Sequence, residues 1–145
     1  MRQIFVLGRL LVGSYFLYSG VHHFTDTRAM AHFAHLRGVP MPEIAVVAAG
    51  VLLVIAGLSF LLGFMPKLGI VAAALFLVPV TLMMHPFWKE EGAARMADMV
   101  NFTKNFGLLG AVLMFAGVPE PWPVSVGTRR FAFRAHRRPV HAFTH

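Results

Sequence analysis

The chain has 145 residues, 57% of them hydrophobic and only 13% charged, with a net charge of +7 and no cysteine. A soluble domain carries about twice that charged fraction, so the excess apolar surface must face lipid or be buried in a larger assembly. Lack of cysteine excludes a disulfide, a thiol nucleophile, an iron–sulfur cluster and a cysteine zinc site.

A bilayer core about 30 Å thick is crossed by about 20 helical residues. Four stretches meet that length: residues 4–24, 43–64, 67–88 and 98–117. None alternates as a strand would, so a β-barrel is not expected. The fold expected is an all-α integral membrane protein, an antiparallel four-helix bundle with short interfacial helices in its outer loops. Residues 1–118 form the bundle and 119–145 a basic tail rich in proline, arginine and aromatics.

The first stretch ends in Tyr18-Ser19-Gly20-Val21-His22-His23-Phe24, without the small-residue site that marks a cleaved signal peptide. It is read as a retained span. Residues 26–38 then read as an amphipathic helix, with Asp26 or Thr27 as cap and Gly38 as stop. Met30, Phe33 and Leu36 fall near one face, and Arg28, His32 and His35 largely on others. Pro40 and Pro42 precede the second stretch, Pro42 being suited to a first helical turn. Gly63-Phe64-Met65-Pro66 is a very tight turn, so the second and third helices must be antiparallel neighbours. Pro79 inside the third helix removes one amide donor and frees the Leu75 carbonyl, which predicts a kink. Residues 89–98 are expected to form a second short helix. Gly117, Pro119, Pro121 and Pro123 stop the last span.

Charge sets the orientation. With the amino terminus on one side, that side collects Arg2, Lys67 and the tail cluster Arg129, Arg130, Arg134, Arg137 and Arg138 against the single acid Glu120. The other side mixes Arg28, Arg37, Lys89 and Arg95 with Asp26, Glu43, Glu90, Glu91 and Asp98. Lysine and arginine favour the cytoplasmic side, so both termini are predicted to be cytoplasmic. Much of the +7 becomes a tail that either touches anionic lipid or docks on a partner subunit. Basic residues confined to one tail of a lipid-compatible chain do not describe a nucleic-acid binder. A transporter is also disfavoured, though less strongly, by short length, no inverted repeat and few intramembrane charges.

Polar groups at membrane depth are the functional candidates, because they are costly there and face the bundle interior or snorkel to water. Arg9 shares a helical face with Gly13, Phe16, Gly20 and His23, and the glycines permit close helix approach. On that face Arg9 points inward. Asn101, Lys104, Asn105 and Leu108 share a face of the last span, with Lys104 a candidate partner for Asp98 or a neighbouring helix end. Thr81, His85 and Trp88 close the third span, and Trp88 suits an interfacial aromatic belt. His22, His23, His32 and His35 gather on the outer side with His85. Imidazole binds zinc, copper and haem iron, so these four form a weakly spaced candidate metal or haem set.

The run Gly8-Arg9-Leu10-Leu11-Val12-Gly13, with Phe16 and Ser19-Gly20, resembles the opening of DoxX-like membrane proteins. Gly38-Val39-Pro40, the glycine-containing second span, His85-Pro86-Phe87-Trp88, and Asn101-Phe102-Thr103-Lys104-Asn105 before Gly107-Leu108-Leu109-Gly110 continue the resemblance in order. It covers about residues 5–117 and leaves the tail without counterpart. The resemblance implies a four-helix bundle in a prokaryotic cytoplasmic (inner) membrane and a loose link to redox chemistry. Related DoxD proteins look like the membrane part of thiosulfate–quinone oxidoreductases, and some DoxX proteins resemble scaffolds for oxidoreductase complexes. The expectation is a small accessory subunit that sits in lipid among other membrane subunits. The alternative is a quinone-interacting component in which Arg9, His85, Trp88, Asn101, Lys104 and Asn105 supply the polar site. Histidine would shuttle protons there, and electrons would come from another chain.

Overall fold

A computed structural model describes residues 1–126. Every regular element in it is helical: α1 (Arg2–Thr25), α2 (Thr27–Leu36), α3 (Pro42–Leu62), α4 (Pro66–Met84), a 3-10 turn (Phe87–Lys89) and α5 (Gly92–Phe115). The tail arginines 129, 130, 134, 137 and 138 lie outside the described residues. Three helical runs, Arg2–Thr25, Pro42–Leu62 and Pro66–Lys89, are long and apolar enough to cross a membrane. α5 is as long as α1, but it carries Arg95, Asp98 and Lys104 and does not join them on composition.

The helix boundaries follow from local chemistry. α3 and α4 each begin on a proline, preceded by Met41 and Met65 in the left-handed region at φ 46° and 48°. A residue before proline is barred from the right-handed helical region, so the helix cannot start earlier. α3 ends on Gly63 at φ 62°, whose amide donates to the Ser59 carbonyl. The Ser59 hydroxyl donates across the turn to the carbonyls of Phe64 (2.8 Å) and Met65 (2.9 Å). One buried serine therefore fixes the α3–α4 reversal.

Two elements differ from their sequence expectation. The short helix expected over 89–98 is split between the 3-10 turn and the first turns of α5, so the last long helix starts at Gly92 instead of Asp98. Extended Glu90 and Glu91 make the link, and nothing between 92 and 98 breaks a helix. In α2 the residues turned inward are Ala31 and Ala34, against Val46, while Phe33 and Leu36 are exposed. Arg37, one turn beyond Ala34, is held in ion pairs beneath the helix (below). That fixes the rotation of α2 and brings the alanines onto α3.

α1 and α3 pack through glycine. A Cβ on Gly57 would meet the Leu17 amide nitrogen at 2.6 Å, and one on Gly20 the Val54 amide nitrogen at 2.9 Å. Gly13 and Gly20 on α1 oppose Gly57 and Gly50 on antiparallel α3. Both pairs are seven residues apart, the repeat that keeps two helices facing each other. Lipid tails are as apolar as leucine, so close backbone approach, more than burial, holds these helices together. The central core is Phe16, Leu53, Ala56, Phe60, Ala72, Ala73, Leu77 and Val112, joined by Trp122. Trp122 comes from beyond α5, in the segment read from sequence as tail. It stacks among Phe5 (5.2 Å), Phe115 (5.2 Å) and Phe60 (6.2 Å).

Candidate functional site

Four elements meet at the end of the molecule where α4 stops and α5 starts. α4 ends at Met84 because Pro86 follows, which leaves His85 at its C-cap. α2 ends at Arg37, with Gly38 at φ 73° turning the chain away. Asp98 sits in the second turn of α5, 4% exposed. His85 Nδ1 donates to Asp98 Oδ1 at 3.2 Å. Arg37 Nη1 donates to Glu90 Oε1 at 2.7 Å and stands 3.0 Å from Asp98 Oδ2, an ion pair without hydrogen-bond geometry.

The cluster therefore holds two carboxylates, one guanidinium and one imidazole. Asp98 fixes the imidazole tautomer: Nδ1 carries the proton, and Nε2 becomes the acceptor. Nε2 makes no hydrogen bond among the described residues. With neutral histidine the group carries one excess negative charge, and protonation of His85 balances it. Such an arrangement can accept a proton at Nε2 and hold a polar ligand at the mouth of the helices.

Of the polar residues picked from sequence, the structure assembles some and separates others. Trp88 stands near this end, packed against Phe87 (5.3 Å) and Phe102 (5.9 Å). Asn105 lies one heptad below Asp98 on the buried stripe Asp98, Asn105, Val112. Lys104 does not pair with Asp98. Six residues along a helix put the two on different faces, and Lys104 Nζ donates instead to Asn101 Oδ1 at 2.9 Å. Arg9 belongs to the opposite end, beside Gly63 and Val124, and is not part of a site with His85.

The four outer histidines are not brought together. His22 uses both ring nitrogens: Nδ1 donates to Asp26 Oδ2 (2.8 Å) and Nε2 accepts from the Tyr18 hydroxyl (2.9 Å). That hydrogen bond, with one from Thr25, holds the Asp26 carboxyl below its ordinary range. His23 Nδ1 donates to the Ser19 carbonyl at 2.8 Å. His32 and His35 are exposed on α2. Among the described residues no three His, Asp or Glu side chains are grouped to hold a metal ion.

Arg9 is the buried cation of the other end, 2% exposed. It shares the inward face with Gly13, Phe16 and Gly20, as the helical spacing predicts. Its Nη2 donates to the Val124 carbonyl at 2.6 Å, while Nε and Nη1 are buried with no partner among the described residues.

Arg37, Glu90 and Trp122 escape the sequence reading. Arg37 and Glu90 are 53 residues apart and carry no local signal. The burial of Asp98 was also missed; the signal that could have marked it is its seven-residue spacing to Asn105 and Val112.

Three bilayer-length apolar helices, with ionisable groups gathered at the helix ends, describe a multi-pass helical membrane protein. A model of the DoxX family matches residues 4–86, from α1 to the end of α4. The chain belongs to that family and is an integral membrane protein. Inner membrane protein YphA of Escherichia coli (strain K12) is 26% identical over 126 residues, covering 87% of this chain and 89% of YphA. No solved structure matches the chain.

Proposed function

We propose that this protein is a small accessory subunit of a larger assembly in a prokaryotic inner membrane, seated on its partner through the outer face of α5. In this reading all four long helices cross the bilayer as one bundle. α2 and the 3-10 turn lie at the outer interface, and both termini are cytoplasmic. The observation that carries it is the composition of α5's uncovered face. Thr103, Gly107 and Gly110 point away from the buried stripe Asp98, Asn105, Val112, and a Cβ on either glycine would meet nothing within 4 Å. Lys104 is exposed beside them, with no carboxylate partner among the described residues. Small residues and a cation suit a helix–helix contact better than lipid. The family resemblance suggests that the assembly is a redox one. Purification in mild detergent tests this: the chain should migrate in a particle much larger than itself, and Gly107→Leu should release it. A monodisperse small particle in native membranes and mild detergent alike would sink it.

The Arg37–Asp98–His85 cluster favours a second reading, a quinone-interacting component. A quinone needs an apolar slot, a donor for its carbonyl oxygens and a proton route. His85, held by Asp98 beside Trp88, supplies the last two once it is protonated, when Nε2 carries a proton it can donate. Quenching of tryptophan fluorescence by an added short-chain quinone should be lost in His85→Asn and Asp98→Asn. Unchanged quenching in both removes the reading.

A further inference from the structure

The end of the molecule opposite His85 holds a guanidinium that the assembly reading does not use. Arg9 lies about 10 Å along α1 at 1.5 Å per residue, and is buried with two of its three nitrogens unpartnered among the described residues. Arginine does not deprotonate in proteins, and no carboxylate pairs with it among the described residues. A buried charge left without a counter-charge is strongly unfavourable. Gly63 makes room for it: a Cβ there would collide with Arg9 Nη1. The negative C-terminal end of α3 gives partial relief, but no full charge.

Residues 118–126 cover the guanidinium as a strap. Trp122 pins the strap in the aromatic core, and Ser125 packs over Gly63. Its hydrogen bond to Arg9 among the described residues is through the Val124 carbonyl, from a residue held at φ 54°. A β-branched residue at positive φ is a strained outlier, so the strap is held in an unfavourable backbone state at its contact point. A groove of about 250 Å³, lined by Lys67, Glu120 and Trp122 among others, runs along the earlier part of the same strap.

We propose that Arg9 binds a phosphate-type anion, carried by a phospholipid headgroup or free in solution, with Val124 and Ser125 moving aside so that the anion replaces the Val124 carbonyl. The donor pattern points to an anion with several oxygens. Nη2 belongs to both two-pronged edges of the guanidinium, one shared with Nε and one with Nη1. A single carbonyl oxygen satisfies Nη2 alone. A phosphate in its place satisfies Nη2 and a neighbour together, the bidentate geometry arginine offers. Phosphate is also the multi-oxygen anion that bilayers supply at the depth of a helix end.

The test is thermal unfolding of the full chain in maltoside micelles. The probes are inorganic phosphate against chloride at equal ionic strength, and short-chain phosphatidylglycerol against a phosphate-free galactolipid. A ligand at tenfold over its Kd should raise the midpoint by about 3 °C or more. Arg9→Met removes both the charge and the site, and should abolish the rise. A rise with lipid only assigns the headgroup as source, and a rise with inorganic phosphate as well assigns a free-anion site. No rise with either probe overturns the proposal. An equal rise in Arg9→Met also overturns it, placing the anion on the basic tail. Should Arg9→Met not fold, Arg9→Lys decides: loss of the two-pronged edge should weaken apparent affinity at least about tenfold, and unchanged affinity overturns the site.

Discussion

Asp98 Oδ1 receives the Nδ1 proton of His85 at 3.2 Å, tying the last residue of α4's cap to the second turn of α5. The same carboxylate, through its other oxygen, stands 3.0 Å from Arg37 at the end of α2. One buried side chain thus fastens three helices at one end of the molecule. Removing it leaves the imidazole partly buried without its partner and the guanidinium with Glu90 alone.

The first expectation is that Asp98→Ala destabilises the protein by about 3 kcal/mol, the range for breaking one side of a buried ion pair. His85→Ala should cost about 1 kcal/mol, as a single hydrogen bond does. Thermal or denaturant unfolding in detergent measures both. Equal losses in the two variants would show that Arg37 gains nothing from Asp98.

Glycine substitutions should separate the fold from the contact surface. Gly57→Leu places atoms where the Leu17 backbone already lies, so α1 and α3 must part. A loss of about 3 kcal/mol or failure to fold is expected. Gly107→Leu meets nothing within 4 Å and should leave unfolding of the purified chain within about 0.5 kcal/mol of wild type. Comparing the two midpoints checks this.

Acid sensitivity at the α1–α2 junction has a definite sign. Hydrogen bonds from His22 and Thr25 hold the Asp26 carboxyl below its ordinary range. A lowered carboxylate contributes stability above its unfolded pKa of about 4, and loses it as pH falls through the folded value. Asp26 is exposed, so the effect is small. Asp26→Asn should lower stability slightly above about pH 4 and flatten the acid limb below it. Midpoints measured between about pH 2 and 7 test it.

Topology can be tested cleanly because the natural chain has no cysteine. Single cysteines at Ala29 on α2 and at Ala93 at the start of α5 should react with an impermeant maleimide in intact cells. One at Leu68 in the α3–α4 turn region should react only after lysis. The opposite pattern would invert the orientation read from the charges.

The sequence was most informative where one residue type has a single physical use. Gly13 and Gly20, with Arg9 and Phe16, share a face by spacing alone, and all four are buried as expected. Pro42, Gly63 and Pro66 mark helix ends through backbone restrictions that need no tertiary partner. What was not legible depended on distant partners. Lys104 was offered Asp98 because both are charged and close in sequence, but the carboxylate is taken by His85 and by Arg37 from another helix. Arg9 and His85 were grouped because both are polar at membrane depth, and antiparallel packing sends them to opposite ends. Trp122 looked like tail because prolines surround it; its burial depends on a pocket made by Phe5, Phe60 and Phe115 from three helices.

The accessory-subunit account is tested most directly by photo-crosslinking in native membranes, with a photoreactive residue replacing Gly107 on α5 and, as control, Val71 on the exposed flank of α4. The result expected is one discrete adduct of higher mass from position 107 and none from position 71. Absence of an adduct at 107, or the same diffuse labelling from both positions, would contradict a partner seated on α5.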